Sequence, residues 1–443
     1  MAGALGRRAA RHGSTRLANV FRDPDQAKEM VERRHRETAA YLTGTLGTLR
    51  GGAAKLGQLA SFIDVGLVPP EYRELYQSEL AALRDSAPPM EWAQVRRVLE
   101  EEWGKPPESV LDELEQSPAA AASLGQVHRA RLPAGRRVAI KVQYPEVAEA
   151  FGNEIRSVAR LVPLARGVAP ALDAGAVAAE LAARALEELD YRIEGGHQAA
   201  FARAYRDHPF IYVPAVHRSL TRRRVLVSDW IDGLRFPGVL ELPQPERDRF
   251  GEILFRFYFG ATRAAGRFNA DPHPGNYLLR SDGSVGFVDF GAVKATTSRF
   301  FEDAITVLRA GMAGDAHAVR AAVAEAGFFR KPELVDPDLV MRWLRVNAGW
   351  MLDDRPVTID ADTARRLLPL TRQGAFDIAR SLPEVDMPAE DLLFGRMRTA
   401  LVAVLAQLRA TANWNAIARE WFDDEAPRTP LGHAEAAFFS RPA

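Results

Sequence analysis

The stretch Asn269-Ala-Asp-Pro-His-Pro-Gly-Asn276 is followed by Asp289-Phe-Gly291, thirteen residues after Asn276. Its acid, Asp271, precedes Asn276 by five residues. Enzymes that transfer a phosphoryl group from ATP use one acid to position the accepting hydroxyl, and an asparagine and a second acid to hold magnesium. The order and the spacing therefore predict a site for ATP and Mg²⁺, with Asp271 catalytic and with Asn276 and Asp289 as metal ligands.

A lysine on a predicted strand supplies positive charge for such a site. Residues 126–131, a turn at 133–135 and residues 138–142 predict a hairpin whose second strand ends near Lys141. Val138-Ala-Ile-Lys141 matches the strand lysine that contacts the α- and β-phosphates in protein kinases. A lysine at a strand edge is often only solvated. Because the acids follow it in kinase order, we predict that Lys141 binds the nucleotide and takes part in catalysis.

The loop around Asp271 contains too many prolines and glycines for a helix or a strand, so its backbone can aim the carboxylate. A structural Asp-Pro turn would explain Asp271 alone, but not Asn276 and Asp289 at their spacing. His273 stands between two prolines, without a second histidine at ligand spacing. We interpret His273 as a structural imidazole that bonds the loop backbone.

Composition narrows the range of partners. The 443 residues include 58 Lys+Arg and 58 Asp+Glu, a balance that predicts no nucleic-acid partner. The chain has no cysteine, which excludes disulfides and thiolate chemistry and fits a reducing cytosol. Apolar runs are shorter than the roughly 18 residues of a membrane span, so we predict no transmembrane helix. We expect a cytoplasmic protein, with peripheral contact at the inner face of the membrane left open.

The chain begins with residues 1–24, which we interpret as a flexible basic arm rather than a transit peptide because serine richness and an amphipathic face are missing. Helical patterns then run through residues 25–104, and the last of these helices stops at Gly104. Further along we predict a long helix at 175–205, a strand at 224–230, a helix at 246–265, strands at 277–279 and 285–288, helices from 298 onward, and a loose end after 425.

Two features of ordinary protein kinases are missing. Where a glycine-rich loop should precede Lys141, the chain reads Pro118-Ala-Ala-Ala-Ala-Ser-Leu-Gly-Gln126. Alanine avoids the positive-φ conformations that let glycine wrap phosphates, so we expect a stiffer loop whose methyl groups crowd the triphosphate. An Ala-Pro-Glu segment is also absent after Gly291. The pattern therefore differs from that of an ordinary protein kinase.

These departures themselves form a pattern, and the chain resembles the UbiB/AarF family of atypical protein-kinase-like proteins. Lys55-Leu-Gly-Gln58 is similar to the KxGQ motif of that family, Ala120-Ala-Ala-Ser123 to its alanine-rich loop, and Glu188-Leu-Asp190 to its ExD motif. The resemblance spans about residues 25–300. It implies an α+β, two-lobed protein-kinase-like fold with an N-terminal helical extension and a helical C-terminal region.

The resemblance also implies roles and boundaries. Residues 25–108 would form the extension, 109–233 the N-lobe, 234–425 the C-lobe and 426–443 a loose tail. Glu194, at the αC position, should pair with Lys141. Two sets of residues complete the site: Ala120, Ala121, Ala122 and Ser123 would bind the nucleotide, and Lys55, Gln58, Glu188 and Asp190 would gate it. The expected cofactors are ATP and Mg²⁺, and the expected partner is an isoprenoid lipid or quinone precursor.

The chain departs from the family in two places. The family often has a histidine where this chain has Asn269, which leaves Asp271 intact but changes its support. Some bacterial members carry C-terminal transmembrane helices, whereas none is predicted here, so membrane anchoring is not carried over.

The leading hypothesis is a kinase-like ATPase or atypical kinase of isoprenoid-quinone or lipid metabolism. One alternative is a small-molecule phosphotransferase of the aminoglycoside or choline-kinase type, whose catalytic loops contain a similar Asp-x-His-x-Gly-Asn run. The alanine-rich loop and the KxGQ motif weigh against it. Another alternative is a nucleotide-gated lipid-binding module with little turnover.

Overall fold

A computed structural model describes residues 90–122, 124–133, 135–145, 187, 189–329, 331–364 and 389–441. They fall into two compact units. The first contains the described residues up to 145 together with 187, 189 and 222–227, and the second contains 190–221 and those from 228 onward. The basic arm and the predicted site residues Lys55, Gln58, Ser123 and Glu188 lie outside the described residues.

The architecture mixes helices with short strands. The helices are α1 (Trp92–Trp103), α2 (Tyr191–Ala204), α3 (Phe236–Leu240), α4 (Gln244–Ala265), α5 (Ser298–Met312), α6 (Ala316–Glu325), α7 (Pro337–Leu352), α8 (Ala389–Leu408), α9 (Trp414–Phe422) and α10 (Pro430–Phe439). The strands are β1 (Glu113–Leu114), β2 (Ala120–Ala122), β3 (Gly125–Arg131), β4 (Arg137–Gln143), β5 (Ile211–Tyr212), β6 (Val225–Asp229), β7 (Leu234–Arg235), β8 (Arg267–Asn269), β9 (Tyr277–Leu279), β10 (Val285–Phe287), β11 (Val293–Ala295), β12 (Val357–Thr358) and β13 (Thr411–Ala412).

The first unit is built on a five-stranded sheet in the order β1-β3-β4-β6, with β2 paired to β3. The predicted hairpin is confirmed as β3 and β4, which pair antiparallel with Val127 opposite Lys141. Val138, Ile140 and Val142 of β4 are fully buried. Since side chains alternate along a strand, Lys141 projects from the opposite face of the sheet.

Helix α1 covers this sheet through an apolar stripe of Val95, Val98 and Leu99, whose spacing suits one helix face. It ends as the sequence predicts, at Gly104, which takes the left-handed conformation with φ 67°. The guanidinium of Arg224, just before β6, donates to the carboxylates of Glu101 and Glu102 on α1. The helix therefore belongs to the same packed unit as the sheet.

The alanine-rich segment forms an edge of the same sheet. Strand β2 folds back on β3 with Ala122 opposite Gly125, and Ala120 lies opposite Val127. Gly125 lies so close to the neighbouring strand that a Cβ atom added there would overlap the carbonyl oxygen of Val142. A glycine is thus required at this position by contact with β4.

The second unit centres on α4, whose residues from Phe250 to Phe259 are almost all buried. A four-stranded sheet in the order β5-β10-β9-β7 packs on it. The ring of Phe257 stacks on that of Phe287 from β10, with centroids 3.7 Å apart. This aromatic layer supports the strands and loops that carry the acids.

Residues 175–186 and 188 of the long helix predicted at 175–205 lie outside the described residues. Among the described residues the helix is interrupted at Leu189 and Asp190, and α2 starts at Tyr191. Asp190 adopts extended angles and its carboxylate accepts the backbone N–H of Arg192, as an N-cap does. The ring of Phe201 on α2 packs 5.5 Å from that of Phe257 on α4. Residues 190–221 belong to the second unit.

The loose tail predicted for residues 426–443 is also wrong, because α10 docks on the core. Arg256 of α4 is fully buried and donates to the carboxylates of Glu252, Glu420 and Glu435. Glu420 lies on α9 and Glu435 on α10. Removing one partner of a buried ion pair typically costs about 3–5 kcal/mol, so this cluster ties both helices to α4.

The apolar helices of the C-terminal region raise the question of a membrane span. Among the helices described, none is long and apolar enough to cross a bilayer.

The contact between Gly125 and Val142 predicts a difference between two glycine substitutions. Gly125→Ala should destabilise the protein by about 1–3 kcal/mol, because β3 must move away from β4. Gly196→Ala, on α2, should be neutral or stabilise it by about 0.5–1 kcal/mol, since a Cβ there meets nothing within 4 Å. Thermal unfolding of both variants measures the difference, and equal midpoints would contradict this packing.

Candidate active site

A two-stranded ladder brings the two acidic loops together. Strand β8 pairs antiparallel with β11, with Asn269 opposite Val293. The pairing continues into the loops, where the N–H of Ala270 donates to the carbonyl of Ala292 at 2.7 Å. Because Asp271 follows β8 and Asp289 precedes β11, this ladder holds both acids at the same end of the strands.

A second ladder closes the other side of the site. Strands β9 and β10 pair antiparallel with Tyr277 opposite Phe287. Beyond the strands, the N–H of Val288 donates to the carbonyl oxygen of Asn276 at 3.0 Å. Asn276, which ends a short 3₁₀ turn, is therefore fixed beside the residue that precedes Asp289.

The side chain of Asn269 joins the two loops directly. Its amide nitrogen donates to the backbone carbonyl of Asp289 at 2.9 Å. Its amide oxygen accepts the backbone N–H of Asp271 at 3.0 Å. Asn269 is almost fully buried, so both bonds are shielded from water. The residue that replaces the family histidine thus supports both acids.

Asp289 occupies a backbone conformation that few residues other than glycine adopt, with φ 70°. Its side chain stabilises the turn, because Oδ1 accepts the N–H of Gly291 at 3.1 Å. Together with the bond from Asn269 to its carbonyl, this fixes Asp289 on both sides. A residue held in such a conformation is often part of a functional site.

The carboxylate of Asp271 is shared between an amide and a guanidinium. Asn276 Nδ2 lies 3.5 Å from Oδ2 of Asp271, and Arg396 Nη2 lies 3.7 Å from Oδ1. Partial burial of the carboxyl raises the pKa of Asp271, the guanidinium of Arg396 lowers it, and the charge of Asp289 raises it. A raised pKa makes a carboxylate a better acceptor for the proton of a hydroxyl group.

The position of His273 agrees with its predicted structural role. Its ring Nδ1 accepts the backbone N–H of Gly275 at 3.0 Å, and the backbone N–H of His273 donates to the carbonyl of Asp271 at 2.8 Å. Both bonds stay inside the loop. His273 therefore shapes the turn that carries Asp271 and Asn276.

Glu194 lies on α2, beside the Asp-Phe-Gly turn of the same unit. A Cβ atom added at Gly291 would stand 3.4 Å from Asp289 Oδ1 and 3.9 Å from Glu194 Oε2. Phe290 is fully buried and packs against Phe201 of α2, with ring centroids 5.0 Å apart. The position of this turn is thus coupled to that of the helix carrying Glu194.

The remaining predicted nucleotide residues lie in the first unit. Lys141 is buried in β4, and Ala120, Ala121 and Ala122 form β2. The pairing of Lys141 with Glu194 stays a prediction. Asp190, expected to gate the site, caps α2 and also pairs with the guanidinium of Arg192. The second unit alone brings together Asp271, Asn276, Asp289 and Glu194.

Sequence reasoning missed two residues of this site. Arg396, on α8, is distant in sequence from every motif. No motif in the sequence therefore points to it. Asn269 was noticed as a substitution, but its double hydrogen bond depends on the register of β8 and β11, which the motif does not reveal.

The donor set fits magnesium. Asp289 supplies a carboxylate oxygen, and Asn276 turns its amide nitrogen toward Asp271, which leaves its oxygen to serve as a ligand. Among the described residues, no group of three His, Cys, Asp or Glu side chains could hold a metal by itself. Magnesium in nucleotide sites commonly uses one or two carboxylates and completes its shell with phosphates and water, so the smaller set is sufficient.

Comparison with known proteins assigns the family. The model of the ABC1 atypical kinase-like domain matches residues 82–323. This chain belongs to the ABC1 atypical kinase-like family. The match includes Lys141, Glu194 and the three residues Asp271, Asn276 and Asp289, and it confirms the predicted UbiB/AarF membership.

Two curated relatives of this ABC1 protein are longer than the chain. It is 35% identical over 247 residues to Protein ACTIVITY OF BC1 COMPLEX KINASE 1, chloroplastic, of Arabidopsis thaliana, covering 53% of this chain and 36% of the relative. It is 34% identical over 278 residues to Atypical kinase COQ8B, mitochondrial, of Rattus norvegicus, covering 62% and 52%. The matched region thus spans between about a third and a half of these relatives.

A solved structure supports the kinase-like α+β fold over most of the ABC1 protein. The complex of Rv3197 with erythromycin from Mycobacterium tuberculosis superposes with a TM-score of 0.65 at 30% identity. The likeness covers 90% of this chain and 98% of the other. It therefore extends into the C-terminal helices beyond residue 323.

The double hydrogen bond of Asn269 predicts a specific defect. Asn269→Ala leaves a backbone donor and acceptor unpaired in a buried place, at about 1–3 kcal/mol each, and lets the acids separate. We expect a lower unfolding midpoint and at least tenfold weaker binding of ADP in the presence of Mg²⁺.

Asn415→Ala is the matched control, since Asn415 is equally buried but donates to the carbonyls of Met351 and Leu352. It should lose stability and keep its nucleotide affinity in calorimetry. Equal ADP affinity in the two variants would show that Asn269 has only a structural role.

Proposed function

We propose that this ABC1 protein is a Mg²⁺-dependent atypical kinase or ATPase that acts in isoprenoid-quinone or lipid metabolism. The observation that carries the proposal is the joined set of Asp271, Asn276 and Asp289, held by Asn269 within one unit. Acids in this order serve phosphoryl transfer in kinase-like folds. Family membership adds the expectation of ATP binding.

Each residue has a role in the proposed reaction. Lys141, supported by Glu194, would contact the α- and β-phosphates, and Asn276 and Asp289 would hold Mg²⁺. When bound, Mg²⁺ neutralises charge on the phosphate oxygens. Asp271 would orient a hydroxyl or a water molecule in line with the terminal phosphorus and accept its proton. The buried bonds of Asn269 keep this geometry fixed before the nucleotide arrives.

The lipid assignment rests on the family resemblance. UbiB/AarF proteins are linked to coenzyme Q and other isoprenoid-lipid metabolism, and relatives are named Atypical kinase COQ8B, mitochondrial. The acceptor would then be an isoprenoid lipid or a quinone precursor. A cytoplasmic chain would meet such a molecule by peripheral contact with the membrane surface.

A second candidate is a small-molecule phosphotransferase. Rv3197, whose structure resembles this chain over nearly its whole length, is seen in complex with erythromycin. Hydroxyl groups of a macrolide are chemically suitable acceptors for phosphoryl transfer in line with Asp271. This candidate shares the ATP and Mg²⁺ site and differs only in the acceptor.

Exchange of one metal ligand tests the leading proposal. Asp289→Asn removes a charge that holds Mg²⁺, so ATP turnover should fall at least a hundredfold, with or without membranes or prenyl-phenol analogues. Asp282→Asn, at the far end of the β9–β10 hairpin, should retain turnover, because an asparagine oxygen can still accept the N–H of Ser284. Full activity of Asp289→Asn would refute the metal assignment.

The acceptor is identified by product analysis. With radiolabelled ATP, the leading proposal expects label in a lipid extract, or phosphate release stimulated by prenyl-phenol analogues. The second candidate expects a phosphorylated macrolide when erythromycin is added. Label in erythromycin but not in lipid would replace the first candidate by the second.

A further inference from the structure

Helix α8 presents an arginine to the catalytic acid. Arg396 lies on this helix, and its Nη2 atom is 3.7 Å from Oδ1 of Asp271. The two side chains keep 32% and 40% of their surface exposed, so the pair is accessible to a ligand. The arginine lies beyond residues 82–323, which the family model matches, and so it belongs to none of the motifs that define the site.

The helix that carries Arg396 is firmly anchored on the side facing the acids. The ring of Phe394 packs against Phe268 of β8 and Phe300 of α5, with centroids 5.4 and 5.6 Å apart. Phe268 directly precedes Asn269, the residue that joins the acidic loops. The position of α8 is therefore tied to the strand from which the catalytic loop emerges.

The next turn of α8 is fixed in a different direction. Met397 and Leu401 are fully buried, and Arg398 Nη2 donates to Oδ1 of Asn347 on α7 at 2.9 Å. The guanidinium of Arg398 thus helps to hold α8 against α7. Arg396, two residues earlier, is directed toward the active site instead.

The geometry of the ion pair suits a ligand better than a structural lock. A separation of 3.7 Å is too long for a hydrogen bond, so Asp271 balances the charge of Arg396 without fixing the direction of its donors. A guanidinium offers five donors in a planar fork that matches phosphate oxygens. The fork of Arg396 is therefore suited to phosphate oxygens that enter the site beside Asp271.

The charge of the site requires such a group. Asp271 and Asp289 place two carboxylates where the proposed reaction brings a highly charged terminal phosphate. Carboxylates and a phosphate that lie close together repel one another strongly unless cations lie between them. Mg²⁺ would supply part of the compensation, and Arg396 supplies a fixed positive charge on the side of Asp271.

We propose that Arg396 contacts the terminal phosphate of ATP and stabilises the phosphoryl group as it is transferred. The inference rests on the proposed function, because it assumes that ATP binds with its terminal phosphate near Asp271. It adds a contribution from the C-terminal helices, which allows this chain to distinguish ATP from ADP.

The test compares two nucleotides in the presence of Mg²⁺. ADP and the non-hydrolysable β,γ-imido analogue of ATP are titrated into the wild type and into Arg396→Gln by calorimetry. Loss of a charged contact to phosphate should weaken binding of the ATP analogue about ten- to hundredfold. ADP affinity should change less than about threefold, because ADP lacks the phosphate that Arg396 contacts.

Three further variants separate this role from a structural one. Arg398→Gln, on the same helix, should lower the unfolding midpoint and leave the ratio of ATP-analogue to ADP affinity as in the wild type. Arg396→Lys should keep part of the discrimination, because it retains the charge but not the fork. In turnover assays, millimolar guanidinium should partly restore Arg396→Ala and leave Asp289→Asn inactive.

The outcomes distinguish the two levels of the proposal. If the wild type binds neither nucleotide, the proposed function fails. If both nucleotides bind and Arg396→Gln keeps the wild-type affinity ratio, Arg396 has no role at the terminal phosphate. Tighter binding of the ATP analogue to Arg396→Gln would also overturn the inference, because it would mean that the arginine blocks the site.

Discussion

The amide of Asn269 is the contact on which the active site depends. It connects the backbone of Asp271, in the loop that follows β8, to that of Asp289, in the loop that precedes β11. Asp289 takes a positive φ that is unfavourable for residues with a Cβ atom, and a hydrogen bond to its carbonyl helps to compensate that cost. Because the bond is buried, competing water cannot replace it. Together with the pairing of β8 and β11, this side chain sets the distance between the catalytic acid and the metal ligand.

The scaffold around this link is supplied by aromatic packing and by one buried cluster of ion pairs. Phe257 and Phe287 stack beneath the β9–β10 hairpin, and Phe290 packs on Phe201 beside Glu194. Arg256 gathers three carboxylates and fixes α9 and α10 to α4, the helix that precedes β8. The C-terminal helices therefore help to hold in place the elements that carry the site. Helix α8 also places the charged side chain of Arg396 beside Asp271.

Much of this arrangement follows from local patterns. The β3–β4 hairpin, the end of α1 at Gly104, helix α4 and the order of the three site residues were predicted because alternation, capping and short motifs are encoded by neighbouring residues. Other features depend on contacts between distant segments. The alanine, leucine and glutamate residues before Tyr191 predicted one continuous helix, whereas Asp190 caps a helix that begins at Tyr191. The Pro-rich end looked loose, yet Glu435 pairs with buried Arg256. Arg396 has no motif, so only the fold reveals its place.

The central claim is that Asn269 holds Asp271, Asn276 and Asp289 in a preformed site for Mg²⁺ and ATP. A crystal structure of the protein with ADP and Mg²⁺ tests it most directly. We expect a cation within about 2.0–2.1 Å of a carboxylate oxygen of Asp289 and of the amide oxygen of Asn276, with both bonds of Asn269 retained. A nucleotide bound away from these residues, or a cation held by other ligands, would contradict it.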